Sequence, residues 1–170
     1  FLKVFYQLIM VNYTKKLLEA YRFNKILDII SGGKTRPESS YKALSYIKNT
    51  TMKNVNSVNK SNTIVLIHDA VRPFVSNEII NKSIEKSIEY GAICVVVKTI
   101  DTIVKSENNF IKEILPRKFL YNEQTPQAFK FDTIWEAYNQ NLELLEQATD
   151  DVYFVYKMNV PIYLIEGDYT

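Results

Sequence analysis

The sequence predicts an α/β fold: a Rossmann-like, mainly parallel sheet flanked by helices, with a protruding β-arm used for dimerisation. Two observations carry the sheet and helices. Short apolar runs of strand length (25–30, 63–67, 92–97) alternate with longer segments whose apolar residues recur every three to four positions. Strand, helix and strand in that rhythm imply right-handed crossovers and a parallel sheet. The arm follows from a third: after Lys98 the rhythm gives way to two short strand-like runs around a polar turn.

Taken in order, residues 6–11 read as a buried strand, and 12–21 as a helix with Leu17, Leu18 and Tyr21 on one side. A strand at 25–30 runs into Ser31-Gly32-Gly33, and from Glu38 a stripe of Tyr41, Leu44 and Ile47 marks a helix. Residues 50–62, rich in Asn, Ser and Lys, read as an exposed loop before the strand at 63–67. Ser76 or Asn77 caps a helix that turns Ile80, Ile84 and Ile88 inward, and Gly91 ends it. Residues 92–97 form a fully buried strand, so the lone Cys94 within it is a packed, inert thiol.

Residues 102–105 and 110–114 flank Glu107-Asn108-Asn109 as a β-hairpin. A hairpin buries little alone, so this arm, about 99–123, is expected to pack on a second subunit. Gln124-Thr125-Pro126-Gln127-Ala128-Phe129 reads as a rigid polar turn. Beyond it Asp132 caps a helix, residues 150–157 read as another, and 162–165 return to the sheet.

Bulk properties narrow the classes. Residues 1–170 suit one domain, 46% hydrophobic and 24% charged, as in an ordinary globular protein. A formal charge of +2, from 21 scattered basic residues, argues for neither nucleic acid nor an anionic membrane as partner. No apolar run approaches the roughly 18 residues of a membrane span. A single cysteine precludes an internal disulfide and fits a reducing cytoplasm. The apolar start at Phe1, with no initiator Met, suggests an inner portion of a longer protein.

The most informative stretch is Ile64-Val65-Leu66-Ile67-His68-Asp69-Ala70-Val71-Arg72-Pro73-Phe74. Asp69 and Arg72 fall just past a strand's carboxyl end, where open α/β sheets bind ligands. Asp69 can hold a divalent cation through oxygen, and Arg72 can grip a phosphate with two nitrogens. Pro73 holds Arg72 extended. The plain alternative is a surface ion pair worth about 0–1 kcal/mol. Lone His68 fits a structural role at a strand end better than catalysis. Gly32-Gly33-Lys34-Thr35-Arg36 either points backbone amides at an anion or simply turns the chain from strand to helix. Thr149-Asp150-Asp151 suits a helix cap.

In order, Gly-Gly-Lys-Thr-Arg-Pro-Glu-Ser (32–39), His-Asp-Ala-Val-Arg-Pro-Phe (68–74), Asp-Thr-Ile (101–103), Arg117, Gln-Thr-Pro-Gln-Ala-Phe (124–129) and Thr-Asp-Asp (149–151) resemble the sugar-alcohol-phosphate cytidylyltransferases. One branch uses 2-C-methyl-D-erythritol 4-phosphate for isoprenoid synthesis; the other makes CDP-ribitol from ribitol 5-phosphate, a teichoic-acid precursor. The resemblance implies CTP as co-substrate, Mg²⁺ as cofactor, an alditol phosphate as substrate and a homodimer through the arm. It places Gly33, Arg36 and Ser39 at the cytosine and ribose end of CTP, Asp69 at the metal, and Ala70 beside the ribose. It places Arg72, Thr102, Arg117 and Thr125 around the alditol phosphate, with Arg117 reaching a neighbouring subunit's site. Asp69 and Arg117 would be the catalytic pair.

The reaction so implied is in-line attack of a substrate phosphate oxygen on the α-phosphorus of CTP, releasing pyrophosphate. The family's glycine-rich triphosphate loop and its later Asn-x-Lys segment have no counterpart here, so the 170-residue piece is expected to be inactive without its parent. Asp101-Thr-Ile-Val-Lys-Ser and Leu120-Tyr-Asn-Glu-Gln-Thr-Pro-Gln favour the ribitol branch, with the methylerythritol branch as the alternative. A non-catalytic homologue serving as a binding and dimerisation module is the alternative of another class, and a nucleotidyltransferase with another base or sugar is a third.

Overall fold

The computed structural model describes residues 2–6, 11–22, 26–50 and 63–169. They form two compact units, Phe1–Thr63 with Phe131–Val160, and Ile64–Lys130 with Pro161–Thr170.

In the first unit, β1 (Leu2–Tyr6) runs parallel to β2 (Ile26–Ser31), with α1 (Val11–Ala20) between them in sequence. The strand expected at 6–11 falls largely on 7–10, outside the described residues; of the loop expected at 50–62, Thr50 ends a helix and 51–62 lie outside the described residues. Helix α2 (Arg36–Thr50) begins two residues before the predicted start. Pro37 is tolerated there because a first-turn residue needs no partner for an N–H. Thr35 Oγ1 accepts the Glu38 N–H at 3.2 Å, which caps the same turn. Helices α4 (Phe131–Gln140) and α5 (Val152–Lys157) complete the unit. Leu44, Phe131, Ile134, Tyr138, Phe154 and Val155 are its buried core. Each such side chain contributes roughly 1.5–3 kcal/mol on leaving water. The Tyr138 and Phe154 rings stack with centroids 4.0 Å apart.

The second unit holds β3 (Ile64–Ile67), α3 (Asn77–Tyr90), β4 (Ala92–Lys98), β7 (Tyr121–Lys130) and β8 (Tyr163–Glu166). Ser76 caps α3 by accepting the Ile79 N–H at 3.2 Å, and Gly91 ends it at φ 87°. The sheet order is β3-β7-β4-β8. Strand β7 is antiparallel to both neighbours, pairing Ile67 with Gln127 and Ala92 with Phe129, whereas β4 and β8 are parallel.

The mainly parallel sheet is therefore wrong, although helices do flank a sheet. Strands β3 and β4 do point the same way across α3, but β7 separates them and makes the sheet mixed. In the sequence its segment 124–129 reads as a polar turn, because it contains Pro126, which cannot donate to a ladder. The ladder with β4 skips from Cys94↔Gln127 to Val96↔Glu123, so Pro126 sits in an irregularity where no donor is required. Residues 125–129 are buried, and so is the polar Gln127.

The hairpin forms as β5 (Val104–Glu107) and β6 (Phe110–Ile114), closed by Asn108 and Asn109 at φ 51° and 66°. Two positive φ angles define the I′ turn that matches strand twist. The dimerisation arm is nonetheless withdrawn. The two strands make a sheet of their own with every residue exposed, and nothing in the structure shows what covers Phe110, Ile111 or Ile114.

Candidate active site

In the second unit the predicted residues gather where β3 ends. The Arg72 N–H donates to the Asp69 carbonyl at 3.0 Å, closing a turn. Arg72 Nε lies 3.5 Å from Asp69 Oδ2, with side chains 45% and 32% exposed. That separation is too long for a strong hydrogen bond, so the pair is a weak one and leaves the guanidinium able to engage an anion. Thr125, buried on β7, accepts the Asp69 N–H through Oγ1 at 3.0 Å. Ala70 is exposed within the same turn.

Beside this turn lies a cleft of about 50 Å³ lined by Arg72, Phe74, Ser76, Ile79, Gln124, Thr125 and Asp168, among others. Gln124 Nε2 donates to the Asp168 carbonyl at 2.7 Å and joins β7 to the segment after β8. Gly167 permits that approach: a Cβ there would collide with the Gln124 side chain and with Val95. Arg72, Thr125 and the start of α3 thus share one cleft, where these polar groups and Asp168 meet the apolar Phe74, Val75, Ile79 and Val95.

Thr102 and Arg117 are not among the side chains that line this cleft. Thr102 is exposed on the approach to the hairpin, and Arg117, in a 3₁₀ turn, donates through Nη1 to the Ile100 carbonyl at 2.7 Å. Arg117 thereby ties the base of the hairpin to its own chain.

The first unit assembles Gly33, Arg36 and Ser39. The Gly33 N–H donates to Ser39 Oγ at 2.9 Å, and Ser39 Oγ donates to the Thr35 carbonyl at 2.9 Å. The Lys34 N–H donates to Glu38 Oε2 at 2.6 Å, a bond that, ahead of the Lys42 ammonium, lowers the Glu38 carboxyl below its ordinary range. A Cβ on Gly33 would strike the Glu38 side chain, so the close approach requires glycine. Both amides that could have faced an anion are engaged inside the turn, one of them by a carboxylate.

Arg36 pairs through Nη1 with Asp151, whose side chain is fully buried. Tyr138 Oη donates to the other Asp151 oxygen at 2.6 Å. Burial pushes the Asp151 carboxyl up, while the Arg36 charge, and after it bonds from Tyr138, Ser40 and Arg36, pull it back. Burial first, and then the charge of Asp151, raises the Tyr138 phenol. Asp151 belongs to the Thr149-Asp150-Asp151 segment read as a helix cap, and it stands at the cap position of α5 without a side-chain cap bond. Asp150 does the capping, accepting the Tyr153 N–H at 2.9 Å, so the second carboxylate is spare for the interior. A pair of carboxylates where one suffices was the available signal.

Among the described residues no three His, Cys, Asp or Glu side chains group to hold a metal, and no helix is long and apolar enough to cross a membrane. Asp69 still fits Mg²⁺. That ion is bound by one or two carboxylates together with substrate phosphates, and Asp69 is a partly exposed oxygen donor beside Arg72.

A mixed α/β unit with a cleft just past a strand end has the layout in which α/β proteins place a ligand site. The chain belongs to the 2-C-methyl-D-erythritol 4-phosphate cytidylyltransferase (IspD) family, whose model matches residues 4–170. It is 37% identical over 155 residues to the enzyme of that name from Clostridium tetani, covering 91% of this chain and 58% of the relative. To the Clostridium beijerinckii enzyme it is 40% identical over 146 residues, covering 85% and 59%. The 4-diphosphocytidyl-2C-methyl-D-erythritol synthase of Anaerococcus prevotii superposes with a TM-score of 0.79 at 26% identity, covering 98% of this chain and 69% of that one. The Thermus thermophilus cytidylyltransferase gives 0.67 at 28% identity, covering 83% and 63%. The chain spans about three fifths of the length of the curated relatives it matches.

Proposed function

We propose that the protein transfers the cytidylyl group of CTP to 2-C-methyl-D-erythritol 4-phosphate, releasing pyrophosphate. The observation that carries this is the Asp69–Arg72 turn braced by Thr125 at the end of β3, in a chain of this family. The relatives and solved neighbours named above all bear methylerythritol names, which favours that substrate over the ribitol 5-phosphate suggested by the sequence.

A substrate phosphate oxygen forms a bond to the α-phosphorus of CTP while the bond to the bridging oxygen breaks and pyrophosphate departs. The attacking phosphate is already ionised, so no general base is needed, and catalysis rests on placement and charge. Arg72 grips the alditol phosphate, and Thr125, which accepts the Asp69 N–H, fixes the turn that presents it. Asp69 holds Mg²⁺, which when bound neutralises phosphate charge, and Ala70 lies beside the ribose. In the first unit, taken by itself, the turn of Gly33, Arg36 and Ser39 suits a neutral base better than a phosphate, since Glu38 sets a carboxylate on the Lys34 amide.

The complete protein carrying this chain is tested with CTP, Mg²⁺ and each alditol phosphate, scored by pyrophosphate release. Turnover of the methylerythritol phosphate is expected. Turnover of ribitol 5-phosphate alone would move the protein to the other branch. Silence with both, from folded protein, would overturn the catalytic reading in favour of a binding module.

A further inference from the structure

His68, set aside in the sequence as a structural residue, sits at the junction of the cleft's polar groups. Its Nε2 is 2.8 Å from the Arg72 carbonyl, and its Nδ1 is 2.9 Å from Thr125 Oγ1. A carbonyl only accepts, so Nε2 carries the hydrogen. In the neutral ring Nδ1 is then a bare acceptor, and the Thr125 hydroxyl donates to it. Thr125 Oγ1 in turn accepts the Asp69 N–H at 3.0 Å. Three bonds therefore run in one sense: Asp69 N–H to Thr125, Thr125 O–H to His68, and His68 Nε2–H to Arg72.

Residues 70–74 are all exposed, so packing does little to hold the turn that carries Asp69 and Arg72. Thr125 by contrast is buried in β7. We propose that His68 is a positioning residue, transmitting the fixed place of Thr125 to the Arg72 backbone and so aiming the guanidinium at the substrate phosphate. This rests on the proposed reading of the cleft as the alditol-phosphate site. His68 neither touches the reacting atoms nor exchanges a proton with them; it sets direction, and the chain of bonds fixes its own ring orientation.

Two arms test it on the complete protein. In long-range proton–nitrogen spectra at alkaline pH, the His68 ring, identified by its loss in His68→Ala, is expected to be protonated at Nε2. Its Nδ1 resonance should move in Thr125→Val. A ring protonated at Nδ1, or one indifferent to Thr125→Val, overturns the proposal whatever the activity. In the kinetic arm, His68→Ala should raise the KM for the alditol phosphate on the order of tenfold, from one or two lost hydrogen bonds, with the KM for CTP unchanged. His68→Gln keeps the donor towards Arg72, and His68→Asn keeps an acceptor for Thr125, so each should recover part of the loss. An equal rise in both KM values, alongside a lower melting temperature, would mean a merely structural residue and overturn the proposal. A parent protein silent with every substrate would sink the functional reading alone, and the spectra would still decide the bond chain.

Discussion

Arg36→Met isolates the buried pair of the first unit. The substitution keeps an apolar stem of similar length and removes the cation that offsets burial of Asp151. Breaking a buried pair from one side costs about 3–5 kcal/mol, because the remaining charge loses its compensation. Arg36 is 31% exposed and water reaches part of the site, so the lower end, about 3 kcal/mol, is expected. At roughly 2–4 °C per kcal/mol for a domain of this size, the melting temperature should fall by about 6–12 °C.

The deficit should depend on pH in a defined direction. Burial already holds the Asp151 carboxyl above its ordinary range, and losing Arg36 raises it further. A folded-state value above the unfolded one stabilises fully below the unfolded carboxyl value, about 4, and that increment is lost as pH rises through the folded value. Parent and variant should thus differ little in acid and diverge towards neutrality. Thermal melts of both proteins across that window measure it directly. The double variant Arg36→Met/Asp151→Asn, which removes both charges but leaves Tyr138 an acceptor, should regain most of the loss. A single variant that melts within about 2 °C of the parent at neutral pH, or whose deficit is flat with pH, would refute a charged, compensated Asp151.

Gly167→Ala should narrow the cleft, because its Cβ meets Gln124 and Val95; overpacking of this kind costs about 1–3 kcal/mol, read by melting, with a raised KM for the alditol phosphate. Arg72→Lys keeps the charge but loses the fork, so the KM for the alditol phosphate should rise on the order of tenfold while that for CTP holds. Ser76→Ala removes the cap of α3 and should cost about 1 kcal/mol, detected as a melting shift of about 2–4 °C.

The sequence made legible what burial periodicity and local chemistry dictate. Helix α3 shows the mechanism: a serine cap, a glycine stop, and a buried strand immediately after it. The turn Asn108-Asn109 was likewise readable, since both residues tolerate positive φ. Strand β7 was not, because its polar residues and its proline contradict the pattern of a buried strand. Only its two neighbours explain it. The ladder is irregular opposite Pro126, and its last pair with β3 is Ile67↔Gln127, so no partner asks that residue for an N–H. Strand order follows from that one segment, and the mixed sheet with it.

The candidate site divides along the same line. Motifs named the residues, but the partners that fix them lie far off in sequence: Asp151 stands 115 positions from Arg36, and Thr125 stands 57 from His68. Spacing within a motif cannot express such a pair. It is the pairing that separates Asp150 from Asp151, two adjacent carboxylates of which one, half-buried, caps a helix and the other, fully buried, is committed to the Arg36 cation. The same logic separates Asp69 from an ordinary surface acid. Its backbone is held by buried Thr125, 56 positions away in sequence, while its side chain lies 3.5 Å from Arg72, so a distant strand fixes the main chain that presents both charges. A turn whose main chain is already tied to a buried strand is pre-organised for a ligand, since binding then costs little further ordering.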